Sequence, residues 1–272
     1  MLIAQITDIH IKPEGQLAYR KVNTAESLRA CVAHLNALSP RPDVALVSGD
    51  LTDRGAPEEY ELVRPILDAL AMPIYVIPGN HDEREAFRQA FGDHAYLPRS
   101  GYLNYAIEDL PVRLIGLDTV VAGQPHGEMC AERLAWLEAR LGEDMDRVTL
   151  LFMHHPPFLT GIRHMDRQNC RNSEALGRVV AQHDQVQMIL CGHVHRPIAV
   201  SWSGTTALIG PSPCHAVALD LSHEGPPAFF LEPPACRLVQ LTEENRLVSH
   251  ISYIGAYDGP HPFFDDDGAL ID

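Results

Sequence analysis

Short apolar runs punctuate the first two thirds of the chain, most of them without alternation between apolar and polar positions. Leu2-Ile3-Ala4-Gln5-Ile6, Val44-Ala45-Leu46-Val47, Ile74-Tyr75-Val76-Ile77, and the runs over 148–152 and 187–190 read as strands. A strand apolar on both sides needs cover on both faces of its sheet. Between these runs the apolar positions follow a helical period instead. Asn23-Thr24-Ala25-Glu26 has the form of an N-cap with Glu three residues on, opening a helix to about Leu38, ahead of Pro40. Pro57-Glu58-Glu59 opens a second, with acids in its first turn and Leu62, Ile66, Leu67 and Leu70 as its apolar stripe. Strands over 102–107 and 112–117, a helix over 132–141, and a long loop followed by a helix over 173–182 continue the pattern.

Beyond His195 the helical period disappears, and short strand candidates follow over 198–202, 207–209, 216–219, 237–241 and 247–253. An α/β first part followed by strands predicts a four-layer αββα sandwich, two mixed β-sheets flanked by helices, as one domain over 1–272. The Pro-rich stretch 220–235 reads as an arm inserted between two strands, and 257–272 as a surface tail.

Composition narrows the function classes. The 272 residues carry 21 Lys+Arg against 36 Asp+Glu, a formal charge of −15, which repels polyanions, and no basic stripe compensates; a nucleic-acid polymer is not the expected partner. No run approaches the roughly 20 apolar residues of a membrane helix, and the N-terminus lacks a signal-peptide pattern, so a cytoplasmic location without membrane association is expected. The six cysteines form no Cys-x-x-Cys pair and read as small core residues, with a Cys214–Cys236 bridge left open by the spacing.

Five polar clusters each follow one of the apolar runs: Asp8-Ile9-His10, Gly49-Asp50, Gly79-Asn80-His81-Asp82, Met153-His154-His155-Pro156 and Gly192-His193-Val194-His195. Residues at strand ends converge when the strands lie side by side. Asp8 and His10, two apart in extended chain, share a side, as do His193 and His195. Glycine before Asp50, Asn80 and His193 permits tight turns and close backbone approach. Asp, Asn and His together suit divalent ions of intermediate softness, among which this donor set does not choose between Fe, Mn, Zn and Co.

In this order the clusters resemble the signature of the calcineurin-like binuclear metallophosphoesterases, and within them the bacterial glycerophosphodiesterase and class III cyclic-nucleotide phosphodiesterase group. The resemblance covers nearly the whole chain and thins beyond Pro211. It implies two divalent metal ions per chain, one on Asp8, His10, Asp50 and His195, the other on Asp50, Asn80, His154 and His193, with Asp50 bridging. A metal-activated water would attack phosphorus, with Asp50, Asn80 and His81 as the catalytic set. Asn80 and His81 would also contact the substrate, His81 at the phosphate or the leaving oxygen. Tyr19 either covers the substrate or simply packs, and His215 reaches the site if its loop folds back as in the resembling group. His155 points away and packs, while Asp53 and Arg54 form turn and ion-pair structure, with substrate contact by Arg54 as the alternative.

The expected reaction is hydrolysis of a small phosphodiester, a 3′,5′-cyclic nucleotide or a glycerophosphodiester. Phosphomonoesterase or protein phosphatase action on the same centre is the alternative, and a non-catalytic metal-binding scaffold the third. Pocket walls are expected from loops at Tyr19, His126, 162–166 and His215. Oligomers in the resembling group, with Phe229 and Phe230 in the arm, predict a homo-oligomer.

Overall fold

The computed structural model describes residues 1–271, so the last residue of the 257–272 tail lies outside it. Strands β1 (Leu2–Ile6), β2 (Val44–Ser48) and β3 (Ile74–Ile77) are parallel; β14 (Ala235–Leu241) pairs antiparallel with β1, and β15 (Leu247–Tyr253) antiparallel with β14, in the order β15-β14-β1-β2-β3. The second sheet has a parallel centre of β5 (Arg113–Leu117), β7 (Thr149–Met153), β9 (Val186–Cys191) and β11 (Thr205–Ile209). Antiparallel β4 (Tyr105–Ile107) and β10 (Ile198–Trp202) close its two edges.

Alternation inside the apolar strands explains why both faces are covered. On β7, Leu150 and Phe152 join a core containing the first sheet, while Leu151 and Met153 join a second core. On β9 the same division separates Met188 and Leu190 from Ile189 and Cys191. Helices α1 (Thr24–Ala37), α2 (Pro57–Leu67) and α3 (Arg84–Ala90) pack Leu28, Val63 and Phe87 into the first core. Helices α4 (Ala131–Gly142) and α6 (Ser173–Val180) pack Leu137, Leu141, Leu176 and Val180 into the second. The layers are therefore helix, sheet, sheet, helix, as the pattern predicts. Each buried Leu, Ile or Phe contributes about 1.5–3 kcal/mol, which gives the frame the rigidity its strained loops require.

Details differ from the sequence reading. The buried face of α2 is Tyr60, Val63, Ile66 and Leu67, with Leu62 only half buried. Helix α3 is absent from that reading; it starts where Glu83 accepts the Ala86 amide at 2.7 Å and faces the first core with Phe87 and Phe91. The loop after β7 contains the one-turn α5 (Arg163–Asp166), and β8 (Cys170–Arg171) pairs with β6 (Gly127–Glu128). Strand β12 is only Ala216–Val217 and pairs with β13 (Phe229–Phe230) at the base of the arm. All six cysteines are free, Cys214 lying against the Ile9 carbonyl and Cys236 against that of Ser252. No described helix is long and apolar enough to cross a membrane.

Candidate active site

The five clusters occupy the carboxyl ends of five parallel strands: β1, β2 and β3 in one sheet, β7 and β9 in the other. The two sheets meet at this end through Gln5, whose amide donates to Ser48 Oγ and to the Cys191 carbonyl, both at 2.9 Å. Asp8, His10, Asp50, His193 and His195 all adopt left-handed backbone, with φ between 50° and 74°. Asp and His tolerate this region better than most residues, yet each such residue costs of order 1–3 kcal/mol. Two glycines meet the crowding directly. A Cβ at Gly49 would overlap the His154 ring, and one at Gly79 would overlap the Asp50 carboxylate.

The side chains converge. His10 Nε2 is 3.2 Å from His195 Nε2 and 3.5 Å from Asp50 Oδ2, and His195 Nε2 is 3.4 Å from Asp8 Oδ1. His154 Nε2 lies 3.2 Å from Asp50 Oδ2. Its other nitrogen, Nδ1, is 3.0 Å from the Ser48 carbonyl; a carbonyl only accepts, so Nδ1 carries the hydrogen. In a neutral ring Nε2 then presents a lone pair to a carboxylate, an arrangement that needs a cation between them. Asn80 Oδ1, His154 Nε2 and His193 Nε2 are buried without hydrogen-bond partners. The donor set is thus oxygen and imidazole nitrogen around buried carboxylates, and it fits divalent ions.

Electrostatics point the same way. Burial raises Asp8 to about 7 against the pull of His154. Burial also opposes charge on Asp50, but the His154, His81 and His10 imidazoles hold it well below the usual carboxylate range. Burial opposes charge on His154 too, yet Asp50 outweighs it and lifts the imidazole to about 9. His10 and His195 are pushed well down, and His193 to about 3, by burial first. A metal-free site therefore holds a proton where a cation would sit.

A cavity of about 400 Å³ opens on this cluster and is lined by His10, Asp50, Asn80, His81, His193 and His195, with Tyr19 and His215 in its wall. Asp8 and His154 lie fully buried beneath it. His81 Nδ1 is 2.7 Å from the Asp53 carbonyl, so it too carries the hydrogen there. Burial opposes its charge, but Asp50 and that carbonyl outweigh it and raise its pKa. His215 is buried, 4.5 Å centroid to centroid from His195 and 5.2 Å from Tyr19. Of the loops expected to form the wall, 162–166 contributes His164 and Met165, whereas His126 does not line the cavity.

Neighbouring residues have other tasks. His155 packs 4.8 Å from the rings of both His154 and His193, and its Nδ1 is 2.7 Å from Thr119 Oγ1. Asp53 pairs with Lys12, and the largely exposed Arg54 is 3.6 Å from it. The Asp82 carboxylate is buried and accepts from Leu51, Thr52, Tyr60 and Gly79, tying the turn after β2 to the turn after β3. An acid two residues after Asn80 was the only signal, and its partners are distant in sequence.

Comparison with known proteins agrees with the geometry. A probable glycerophosphodiester phosphodiesterase of Arcobacter nitrofigilis is 43% identical over the whole of both chains. The 3′,5′-cyclic adenosine monophosphate phosphodiesterase of Escherichia coli is 32% identical over 78% of this chain and 76% of its own. Among solved structures, a dimetal phosphatase from Danio rerio matches 94% of this chain and 99% of its own with a TM-score of 0.62, at 17% identity. A purple acid phosphatase from yellow lupin matches all of this chain and 52% of its own with a TM-score of 0.68, at 12% identity; these two bear on the fold alone. The sequence family described as calcineurin-like phosphoesterase matches residues 1–197, the stretch that ends just past His195 and contains all five clusters, and the chain belongs to that family.

Proposed function

We propose that this chain is a phosphodiesterase acting on small phosphodiesters, either 3′,5′-cyclic nucleotides or glycerophosphodiesters, as one catalytic domain with two divalent ions. Asp8, His10, Asp50 and His195 would hold one ion, and Asp50, Asn80, His154 and His193 the other, with Asp50 shared. The observation that carries this is the meeting of His154 Nε2 and His10 Nε2 at one carboxylate oxygen, Oδ2 of the buried Asp50, in a cavity that Asn80 and His193 also line, with Asn80 Oδ1 and His193 Nε2 buried and unpartnered. Divalent ions bound there supply Lewis acidity, which acidifies water and neutralises charge on phosphoryl oxygens. The chain's own groups do the rest. Asn80 and His81 position the phosphoryl group, and His81, with Nδ1–H fixed on the Asp53 carbonyl, keeps Nε2 available to a phosphoryl or leaving oxygen. Tyr19 and His215 form the substrate wall.

Diester rather than monoester chemistry is supported by the wall. No Lys or Arg lines the cavity among the described residues, and Lys12 is held by Asp53. A monoester dianion gains more than a diester monoanion from such clamps. The two relatives above are themselves phosphodiesterases by name, which favours diesters as well. With metal-replete protein, bis(p-nitrophenyl) phosphate is expected to turn over faster than p-nitrophenyl phosphate, and faster monoester cleavage overturns the assignment.

Self-association runs through the arm, where Leu221, Phe230 and Leu231 are each more than half exposed. Light scattering that returned a monomer would remove that part. A cytoplasmic setting is in keeping with six free thiols.

A further inference from the structure

The arm does more than project from the surface. Its return strand β13 places two phenylalanines on opposite sides, because successive side chains of a strand face opposite ways. Phe230 is 58% exposed. Phe229, paired with Val217 across the short ladder, turns inward and lines the cavity. There its ring lies 4.9 Å from Tyr19, at 34°, and 5.4 Å from His215, at 76°. Tyr19 and Arg20 both have left-handed backbone, at φ 49° and 59°, so the loop holds Tyr19 in place at a conformational cost. Met165 and Gln168 contribute to the same cavity from the α5 segment. The arm also reaches that segment: a Cβ on Gly161 would meet Leu221 at 3.2 Å.

The geometry points to Phe229 as a specificity-determining residue: with Tyr19 it forms an aromatic wall on which a flat, aromatic substituent stacks, carried by the ester group that stays on phosphorus. This rests on the diesterase reading and on His81 serving the leaving oxygen. Both His81 and His215 pack on His10, at centroid distances of 4.6 and 5.9 Å. Among the described residues no ring contact joins His81 to Tyr19, Phe229 or His215, so the wall is apart from the leaving-group side. Aromatic rings in offset or edge contact gain beyond their buried area, and a two-ring wall offers that gain to a planar group but not to a methyl.

Two substrates with the same leaving group isolate the effect. Bis(p-nitrophenyl) phosphate retains an aryl group on phosphorus after cleavage, and methyl p-nitrophenyl phosphate retains a methyl. The ratio of their kcat/KM values in the metal-loaded protein reads the aromatic wall, and wild-type chemistry cancels when variants are compared. Phe229→Ala is expected to lower the ratio about tenfold, mainly through the KM of the bis-aryl ester. Phe229→Leu keeps apolar packing against Ala18 and Val22 without the flat ring, and is expected to lower it roughly threefold. Phe230→Ala, on the outer side, leaves the ratio as in wild type. A ratio within about twofold of wild type in Phe229→Leu and Phe229→Ala overturns the aromatic wall, and if Phe229→Ala does not fold the leucine variant decides alone. Wild-type protein that cleaved neither diester would instead overturn the diesterase reading.

Discussion

The backbone N–H of His81 donates to Asp50 Oδ1 at 2.9 Å. That bond occupies one carboxylate oxygen with the turn after β3 and leaves Oδ2 to face His154 and His10. The same device recurs at Asp8, whose two oxygens accept the His193 N–H at 2.8 and 3.0 Å. In each case a later cluster's backbone fixes an earlier cluster's carboxylate. The acidic groups are thereby aimed before any ion arrives.

Asp50→Asn separates the two tasks of that side chain. The amide keeps an oxygen for the His81 N–H but presents no anion to His154 and His10. Turnover of bis(p-nitrophenyl) phosphate is expected to fall by about 10²–10³-fold or more, with bound metal lost by elemental analysis. Retention of both metal and activity would remove Asp50 from the centre.

His81→Gln tests a different role. The ring is tied to the Asp53 carbonyl and lines the cavity, and it is not required by the proposed ligand sets. Metal content and melting temperature should stay near wild type while kcat falls by about 10²–10⁴-fold, the usual range for a positioned acid or base. A loss of metal together with activity would instead make His81 a ligand.

The sequence carried the fold well where a short-range signal existed. Asn23 with Glu26, the unbroken runs of β2 and β3, and the end of helical periodicity after His195 each have a local cause. The ligand candidates were legible because every one follows a strand, and parallel strands deliver their ends to one place. Helix α3 is two turns long, so its apolar face of Ala86, Phe87, Ala90 and Phe91 is a brief signal, and its start depends on Glu83. Tertiary partners decide the rest: the inward turn of Phe229 depends on its pairing with Val217, and the left-handed backbone at Asp8, His10, Asp50, His193 and His195 follows from crowding between two sheets.

Asp82 shows the same dependence on distant partners and gives a third prediction. Its Oδ1 accepts from Thr52 Oγ1 at 2.8 Å and Tyr60 Oη at 3.0 Å, and its Oδ2 from the amides of Gly79 at 2.9 Å and Leu51 at 3.1 Å. Asp82→Ala strands these donors in the interior, for a loss of about 2–4 kcal/mol by chemical denaturation. Because the two turns it joins carry Asp50 and Asn80, metal affinity should fall about 10–100-fold. Unchanged stability with unchanged metal affinity would show that the turns hold without it.

The buried imidazoles make the metal-free protein acid-sensitive. In that state burial holds His193 at about 3 and His215 at about 4, and His10, His155 and His195 are also pushed well down. An unfolded histidine takes a proton near pH 6.5, so below that value the unfolded chain binds protons that these folded rings refuse. Their stabilising effect is complete above pH 6.5 and is lost as pH falls toward the folded values. Two carboxyls act in opposition: burial raises Asp8 to about 7 and also raises Asp82, so each gains a proton earlier when folded. His154, raised to about 9, is protonated in both states below pH 6.5 and does not enter that window. Five imidazoles against two carboxyls leave the unfolded chain with more protons, and the melting temperature of chelator-treated protein is expected to fall steadily from pH 6.5 to 4.5. Divalent metal added at pH 7 should raise it, because an ion binds only the folded arrangement of donors. A melting temperature that stayed level or rose across the acid window in the chelated protein would contradict the burial of neutral imidazoles at this site.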